Sequence, residues 1–474
     1  MKLSLVALVF ALAIVIAACT SNDPVTLDPG PTSSPSSTTA TSDTPTSNAP
    51  ASGNPVDEEA LPIVFADPTG QLTEAELAAF IDGQELFDVE WTPSGEGDEA
   101  TDGLGPLFNA SSCAACHPST GRRQVPPQGE LTSPGLIVRL SIGSDPVTGA
   151  PTPDPTYGDQ LQDLASGDGE GEASVFTNYV VQQNFFGDGT LYEILWPTVN
   201  IRDRTQGPLT EGIRSSARIG SQLAGMGLLE AVPDEQILAL ADPNDANGDG
   251  ISGRPNGVWN PRTEQIELGR FGWKANVVEL DQQIAGAFHG DMGLTTSRFP
   301  NGNCTDVQDV CPDSPTPEVS DEQLAVIGTY VRGLVVPEPR ELSEEAEQGQ
   351  QHFRDFGCAS CHTETLTTGD HPIEALANQT IRPYTDMLLH DLGGDMADNR
   401  PDFGANGVEW RTAPLWGLGL VPVEGDRGLL HDGRARTIEE AILWHGGEGA
   451  RSRAIYINAE LQARAELIAF LETL

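Results

Sequence analysis

Two five-residue stretches limit what this chain can be more than anything else in it. Cys113-Ala114-Ala115-Cys116-His117 and Cys358-Ala359-Ser360-Cys361-His362 share the pattern CxxCH. The spacing is that of covalent haem attachment. Two thiols on one turn add to the two vinyl groups of a porphyrin, and the next histidine reaches the iron. A four-cysteine zinc site is the competing use of these thiols. It leaves His117 and His362 unexplained and must unite stretches 245 residues apart (362 − 117). The residues therefore read as two covalently bound haem c groups, attached at Cys113, Cys116, Cys358 and Cys361, with His117 and His362 as axial ligands.

Each motif sits in a repeat. Thr73-Glu74-Ala75-Glu76 is a capping box that starts a helix carrying Gly83-Gln84 and Phe87. Ser343, followed by Glu344 and Glu345, starts another that carries Gly349-Gln350 and Phe353. Gly-Gln-x-x-Phe thus precedes both motifs. Each half closes on an amphipathic helix, one over about residues 322–334 before Pro337, the other over about 459–474 with Leu461, Ile468 and Leu471 on one side. An opening helix, a CxxCH turn and a closing helix make the cytochrome c plan, used twice. The expected fold is mainly α, with two cytochrome c-like haem domains at 57–338 and 339–474. The first is long for that plan. Its residues from about 122 to 215 are rich in Gly, Pro, Asp and Thr, with strand-like pieces such as Leu136-Ile137-Val138-Arg139-Leu140, and read as an irregular loop and β insertion.

The start of the chain places the rest. Lys2, an apolar run over residues 3–15 and Ile16-Ala17-Ala18-Cys19 form a signal peptide over 1–19, too short for a membrane helix. Ile-Ala-Ala-Cys resembles a bacterial lipobox, in which Cys19 becomes lipidated; an ordinary cleaved signal with an incidental cysteine is the alternative. Residues 20–56 are nearly all Ser, Thr, Pro, Asp, Ala and Asn, a composition that buries too little to fold and reads as a disordered tether. The folded part is then expected outside the cytoplasm, in the periplasm or at the cell surface, membrane-bound only through the lipid. In that setting Cys304 and Cys311 read as a disulfide pinning a short polar loop, with two free thiols as the alternative.

Charge narrows the partners. Seventy acidic against 25 basic residues give a formal charge of −45, which repels phosphate backbones and anionic lipid and argues against nucleic acid. It hints at a basic protein as electron donor or acceptor. Every basic residue except Lys2 and Lys274 is arginine. Arginine keeps its charge when buried and grips carboxylates, so these residues suit a carboxylate-bearing cofactor, or equally a salt-adapted surface. Asp245, Asn247 and Asp249 stand at positions 1, 3 and 5 of a D-x-N-x-D-G calcium loop, but position 12 is Asn256, so an ion must borrow another ligand. A metal-free Gly/Asp turn is the alternative.

With both motifs placed, the chain resembles the bacterial di-haem peroxidase superfamily, and within it the branch labelled di-haem oxidoreductase or thiol oxidoreductase. The resemblance is carried by Gly103-Leu104-Gly105-Pro106-Leu107-Phe108-Asn109, Gly227-Leu228-Leu229-Glu230-Ala231-Val232 and Arg270-Phe271-Gly272-Trp273-Lys274-Ala275. His431-Asp432-Gly433-Arg434-Ala435-Arg436, followed by Ile438-Glu439-Glu440-Ala441, adds to it, and together the motifs span about residues 70–474. It implies an electron-relaying C-terminal haem and an N-terminal haem open to peroxide or another small oxidant.

The superfamily has an axial Met or Tyr just after the Glu-Glu-Ala helix. Here that position is His445, the expected partner of His362, in competition with His371, His390, His431, Met387 and Met396. A helix-end histidine bonded to carbonyls is the plainer reading of His445. Two imidazoles make the iron low-spin and lower its potential relative to His/Met. The resemblance also implies a Trp ten positions before a Gln, then an acid: Trp273, Gln283, and Asp291 in Asp291-Met292-Gly293, where Asp replaces Glu two residues early. Trp273 would relay electrons, Gln283 would hydrogen-bond the oxidant, and Asp291 would move a proton. Core packing, a solvated helix residue and a capping aspartate are the plainer readings.

His289 is the remaining candidate sixth ligand of the first haem. If permanent, it closes that face and makes the chain an electron carrier without catalysis. Oxidation of a protein substrate, implied by resemblance to the methylamine dehydrogenase maturation enzyme, is a further alternative. The leading expectation is a peroxidase-like, haem-dependent oxidoreductase.

Overall fold

The two Gly-Gln-x-x-Phe helices set how the chain packs. The computed structural model describes residues 66–474 apart from 71, 99, 123–124, 126–128, 132–133, 309–310, 312–315 and 421–427. The expected signal peptide, tether and lipidated Cys19 lie outside the described residues. Helix α1 (Glu74–Asp88) opens on its capping box: the Thr73 hydroxyl accepts the Glu76 N–H at 3.3 Å, and the Glu76 carboxylate accepts the Thr73 N–H at 2.8 Å. Helix α2 (Leu280–Met292) and helix α3 (Asp321–Gly333) follow, the latter started by a second box between Ser320 and Gln323. In the C-terminal half come α4 (Glu344–Asp355), α5 (Ile438–Trp444), α6 (Ala450–Asn458) and α7 (Leu461–Leu471).

The repeat has a packing reason. Helix α1 meets α3 where Gly83 lies against the Val326 carbonyl, and an added Cβ there would also come within 2.8 Å of Tyr330 Cβ. Helix α4 meets α7 where Gly349 lies against the Glu466 carbonyl, with an added Cβ 2.8 Å from Phe470 Cβ. Both glycines let two helix backbones touch. One turn on, Phe87 points to Tyr330 (ring centres 5.2 Å apart) and His117 (6.5 Å). Phe353 points likewise to Phe470 (5.5 Å) and His362 (6.4 Å). Each phenylalanine thus ties its helix crossing to the histidine of its own CxxCH turn.

The expectation of a mainly α fold is overturned: 29% of the structure is helical and 21% is strand, spread over many small sheets. Much of that strand lies in the stretch read as irregular. Strand β1 (Leu136–Ser141) pairs antiparallel with both β2 (Gln160–Leu161) and β5 (Arg214–Ile219). Between them β3 (Ser174–Phe185) and β4 (Leu191–Arg202) form a twelve-residue antiparallel ribbon. Alternation explains it: in β3 the side chains of Val175, Thr177 and Tyr179 are buried and their neighbours are less so. The ribbon reaches the C-terminal half, where the Leu195 N–H donates to Glu440 Oε1 at 2.6 Å and Trp196 packs on Trp444.

The closing helix expected over about 459–474 is α7, which follows α6 after the extended Ala459 and Glu460. The buried side of α7 is Arg464, Leu467, Phe470 and Leu471, while Leu461 is exposed. One apolar cluster surrounds α1, α2 and α3, a second surrounds α4 to α7, and a third lies under β1. Trp273 packs against the second and third.

Candidate functional site

A cavity in the C-terminal half carries Cys358, Cys361, His362 and His445 on its wall, among apolar side chains such as Phe353, Leu429 and Leu467. His362 Nδ1 lies 2.9 Å from the Tyr384 carbonyl, and His445, at the end of α5, has Nδ1 2.8 Å from the Ala441 carbonyl. A carbonyl only accepts, so Nδ1 carries the proton in both rings and Nε2 keeps its lone pair. Burial lowers the pKa of both, His362 to about 4, so each stays neutral. A neutral imidazole whose other nitrogen is fixed by a carbonyl is what an axial ligand needs. These residues fit a haem.

Of the competing side chains, His390, His431 and Met396 also line this cavity, whereas His371 and Met387 do not. His390 is buried with Nε2 2.8 Å from Asp386 and Nδ1 2.7 Å from Glu448. Burial opposes its charge, yet hydrogen bonds with Asp386, the Cys361 sulfur and Glu448 overcome that and push its pKa up to about 12. His371 Nδ1 accepts the Ile373 N–H at 3.1 Å. His431 also lines the cavity, stacked on Trp410 with ring centres 3.7 Å apart, and its buried Nδ1 has no hydrogen-bond partner. Met387 belongs to the first core cluster and Met396 to the second, where it lines the cavity.

At the first motif, one helical turn over Cys113–Cys116 is capped by Ser112. His117 repeats the arrangement of its counterpart: Nδ1 donates to the Ser221 carbonyl at 2.7 Å, and burial lowers its pKa. Burial and, after it, the Asp291 carboxylate push the Cys113 thiol up to about 12, which puts Asp291 near the attachment turn. Asp291 Oδ1 accepts from Gln160 Nε2 at 2.7 Å, and burial raises its pKa. Gln160 Oε1 in turn accepts from Arg139 Nη1 at 2.9 Å, and Arg139 pairs with the half-exposed Asp159 at 2.6 Å. Gln160 and Arg139 come from β2 and β1, so the insertion supplies one wall of this site.

The structure does not gather the three expected catalytic residues. Gln283 stands eight residues before Asp291 on α2, roughly 12 Å away along the axis at 1.5 Å per residue. Trp273 lines the C-terminal cavity, its ring N–H donating to the Ile219 carbonyl at 3.0 Å. His289 stacks on Phe299, ring centres 5.1 Å apart, beside Asp159. Cys304 and Cys311 are joined in a disulfide.

The expected calcium loop closes on itself. Asp245 Oδ1, Asn247 Oδ1 and Asp249 Oδ1 accept the backbone N–H groups of Gly250, Asp249 and Ile251 at 3.1, 2.9 and 2.9 Å. Asn256 is turned away, its amide donating to the Lys274 and Asp402 carbonyls. Among the described residues no group of three or more His, Cys, Asp or Glu side chains converges as a metal site.

A buried charge network was not foreseen. Lys274, fully buried, donates to Asp398 at 2.7 Å and to the Arg400 and Asn406 carbonyls at 2.8 and 2.9 Å. Arg218 and Arg400 both pair with Asp402. Lys274 lies within one of the motifs that carried the resemblance, and being one of only two lysines was the available signal.

A family model described as "Di-haem oxidoreductase, putative peroxidase" matches residues 56–474. Among solved structures, the chain is similar to Kuenenia stuttgartiensis hydrazine synthase pressurized with 20 bar xenon. The identity is 16% and the TM-score 0.35, over 92% of this chain and 100% of that one. No curated protein matches.

Proposed function

The chain belongs to the di-haem oxidoreductase family, and from that membership we propose that it is an extracytoplasmic, lipid-tethered enzyme with two covalent c-type haems. The C-terminal haem relays electrons, and the N-terminal haem meets peroxide or another small oxidant. The observation that carries this reading is the single cavity lined by Cys358, Cys361, His362 and His445, with both imidazoles neutral and both Nε2 atoms free. A haem bound there supplies one-electron redox chemistry at its iron.

The chain's own residues supply the rest. At the first motif, His117 offers Nε2 from one side, and His289 is occupied against Phe299. Asp291 holds its proton more tightly than an exposed aspartate, because burial disfavours the carboxylate. Gln160 fixes its Oδ1, so the acid stays aimed while it gives a proton to the departing oxygen of the oxidant. Trp273, at the wall of the second cavity, stands on the electron path between the halves. The leader and tether in the sequence support export and lipid anchoring. The charge of −45 supports a basic electron-donor protein, whose association should slow as ionic strength rises.

The test is low-temperature EPR of the haem-loaded protein before and after cyanide. A high-spin ferric signal that cyanide converts, beside an unchanged low-spin signal, is the expected result. Two low-spin signals indifferent to cyanide, even after half-reduction, would make the chain an electron carrier and overturn the reading.

A further inference from the structure

Among the described residues, Arg122, Arg411 and Arg453 on the wall of the C-terminal cavity lack the acid partners that the fully buried cations have, and the first two share one neighbour. Arg218, Lys274, Arg400 and Arg434 each pair with an aspartate. Arg122 and Arg411 both line the cavity, and among the described residues neither forms an ion pair. Arg122 Nε is buried without a hydrogen-bond partner. Among the described residues the Arg411 side chain donates to backbone alone, from Nε to the Gly272 carbonyl at 3.0 Å and from Nη1 to the Thr412 carbonyl at 3.3 Å. They flank the same residue: the Arg122 guanidinium lies 6.0 Å from the Trp273 ring centre, and the Arg411 N–H donates to the Trp273 carbonyl at 2.9 Å.

Two such cations in one wall are unfavourable. Burial pushes both guanidiniums down to about 10, and Arg122 adds repulsion at Arg411 that the field of Asp386 only partly offsets. A buried charge without a counter-charge carries a large desolvation penalty, which a matching anion removes. The geometry asks for two carboxylates entering the cavity, and a haem carries two.

We propose that Arg122 and Arg411 are a dicationic clamp for the two carboxylates of the haem attached at Cys358 and Cys361, and that their charge sets the reduction potential of that haem. The proposal rests on the di-haem reading above. Oxidised iron carries one more positive charge than reduced iron, so nearby fixed cations favour reduction. Arg122 stands five residues after His117, so the chain that leaves the first attachment site helps to set the potential of the second.

The experiment is spectroelectrochemical titration of the whole haem-loaded protein, with attachment at each CxxCH checked by peptide mass. Arg122→Gln and Arg411→Gln should each move the C-terminal haem to more negative potential, and the double variant should move it furthest. Arg262→Gln, on the exposed surface, should move nothing. Arg122→Lys and Arg411→Lys keep the charge and should stay closer to the parent than the Gln variants. Should the double variant fail to mature, the single Gln and Lys variants decide. An attached C-terminal haem whose potential ignores the Gln variants, or shifts equally with Lys and Gln, would overturn the clamp and leave the di-haem reading standing. A parent protein with no haem at Cys358 and Cys361 would overturn the di-haem reading itself.

Discussion

Replacing Gly349 with alanine tests whether the close helix crossing is what the Gly-Gln-x-x-Phe repeat is for. On an isolated helix the change should stabilise by about 1 kcal/mol, since glycine is a poor helix former. At this crossing the new methyl would overlap the Glu466 carbonyl and stand 2.8 Å from Phe470 Cβ. Two carbons are comfortable at about 3.5–4.0 Å, so α4 and α7 must separate by roughly 1 Å. An overlap with backbone this close belongs at the upper end of overpacking costs, about 3 kcal/mol, so the net expectation is a loss of about 2 kcal/mol. The separation also draws Phe353 off its contacts with Phe470 and His362. Urea unfolding followed by the Soret band of the haem-loaded protein reads the loss, and EPR reads any change at the C-terminal iron. A Gly349→Ala protein as stable as its parent, with an unaltered low-spin signal, would refute the packing argument. Gly83→Ala should repeat the effect at the N-terminal haem.

His445→Ala should leave the haem attached at Cys358 and Cys361 but convert its low-spin signal to high-spin, read by EPR; an unchanged signal would assign the sixth ligand to another residue. Asp291→Asn should lower peroxide turnover by roughly 10²–10⁴-fold, the usual contribution of a positioned acid, while haem content and both potentials hold. Glu172 is buried and raised to about 7, burial being the larger cause. A carboxylate raised in the folded state contributes stability that is full below its unfolded value of 4.5 and is lost as pH rises through about 7. The parent should therefore be less stable to urea at pH 8 than at pH 5, and Glu172→Gln should flatten much of that difference.

What could be read from the sequence was whatever is local. The capping box at Thr73, the helix start at Ser343, the CxxCH turns and the Gly-Gln-x-x-Phe spacing each lie within a few residues, and the structure starts both helices where they were read. The strands of the insertion were legible only in fragments. Leu136–Ser141 alternates well, but its partners at Gln160 and Arg214 are short or polar and acquire their meaning only by pairing. In the site, His362 and its carbonyl partner are 22 residues apart, whereas Asp291 and Gln160 are 131 apart. Nothing near Gln160 announces it. Arg122 and Arg411 were two among many arginines, and what singles them out, a place on the cavity wall at either side of Trp273 with no ion pair among the described residues, arises only in the fold. The spacing of Trp273 and Gln283 was a linear clue, and folding sends the two residues to different places.

The segment at Trp273 and Lys274 is fastened on both sides. The Trp273 indole holds Ile219, whose own N–H donates to the His431 carbonyl at 2.8 Å, and Lys274 is locked onto Asp398 and two carbonyls. A joint of this kind gives up adjustability for constancy. If the two haems exchange electrons as proposed, they do so across a gap fixed by side-chain bonds rather than by thermal opening and closing. The rate of that exchange should be indifferent to solvent viscosity. On the proposed reading, electron flow is then controlled by chemistry at the two haems, because the span between them is not free to change.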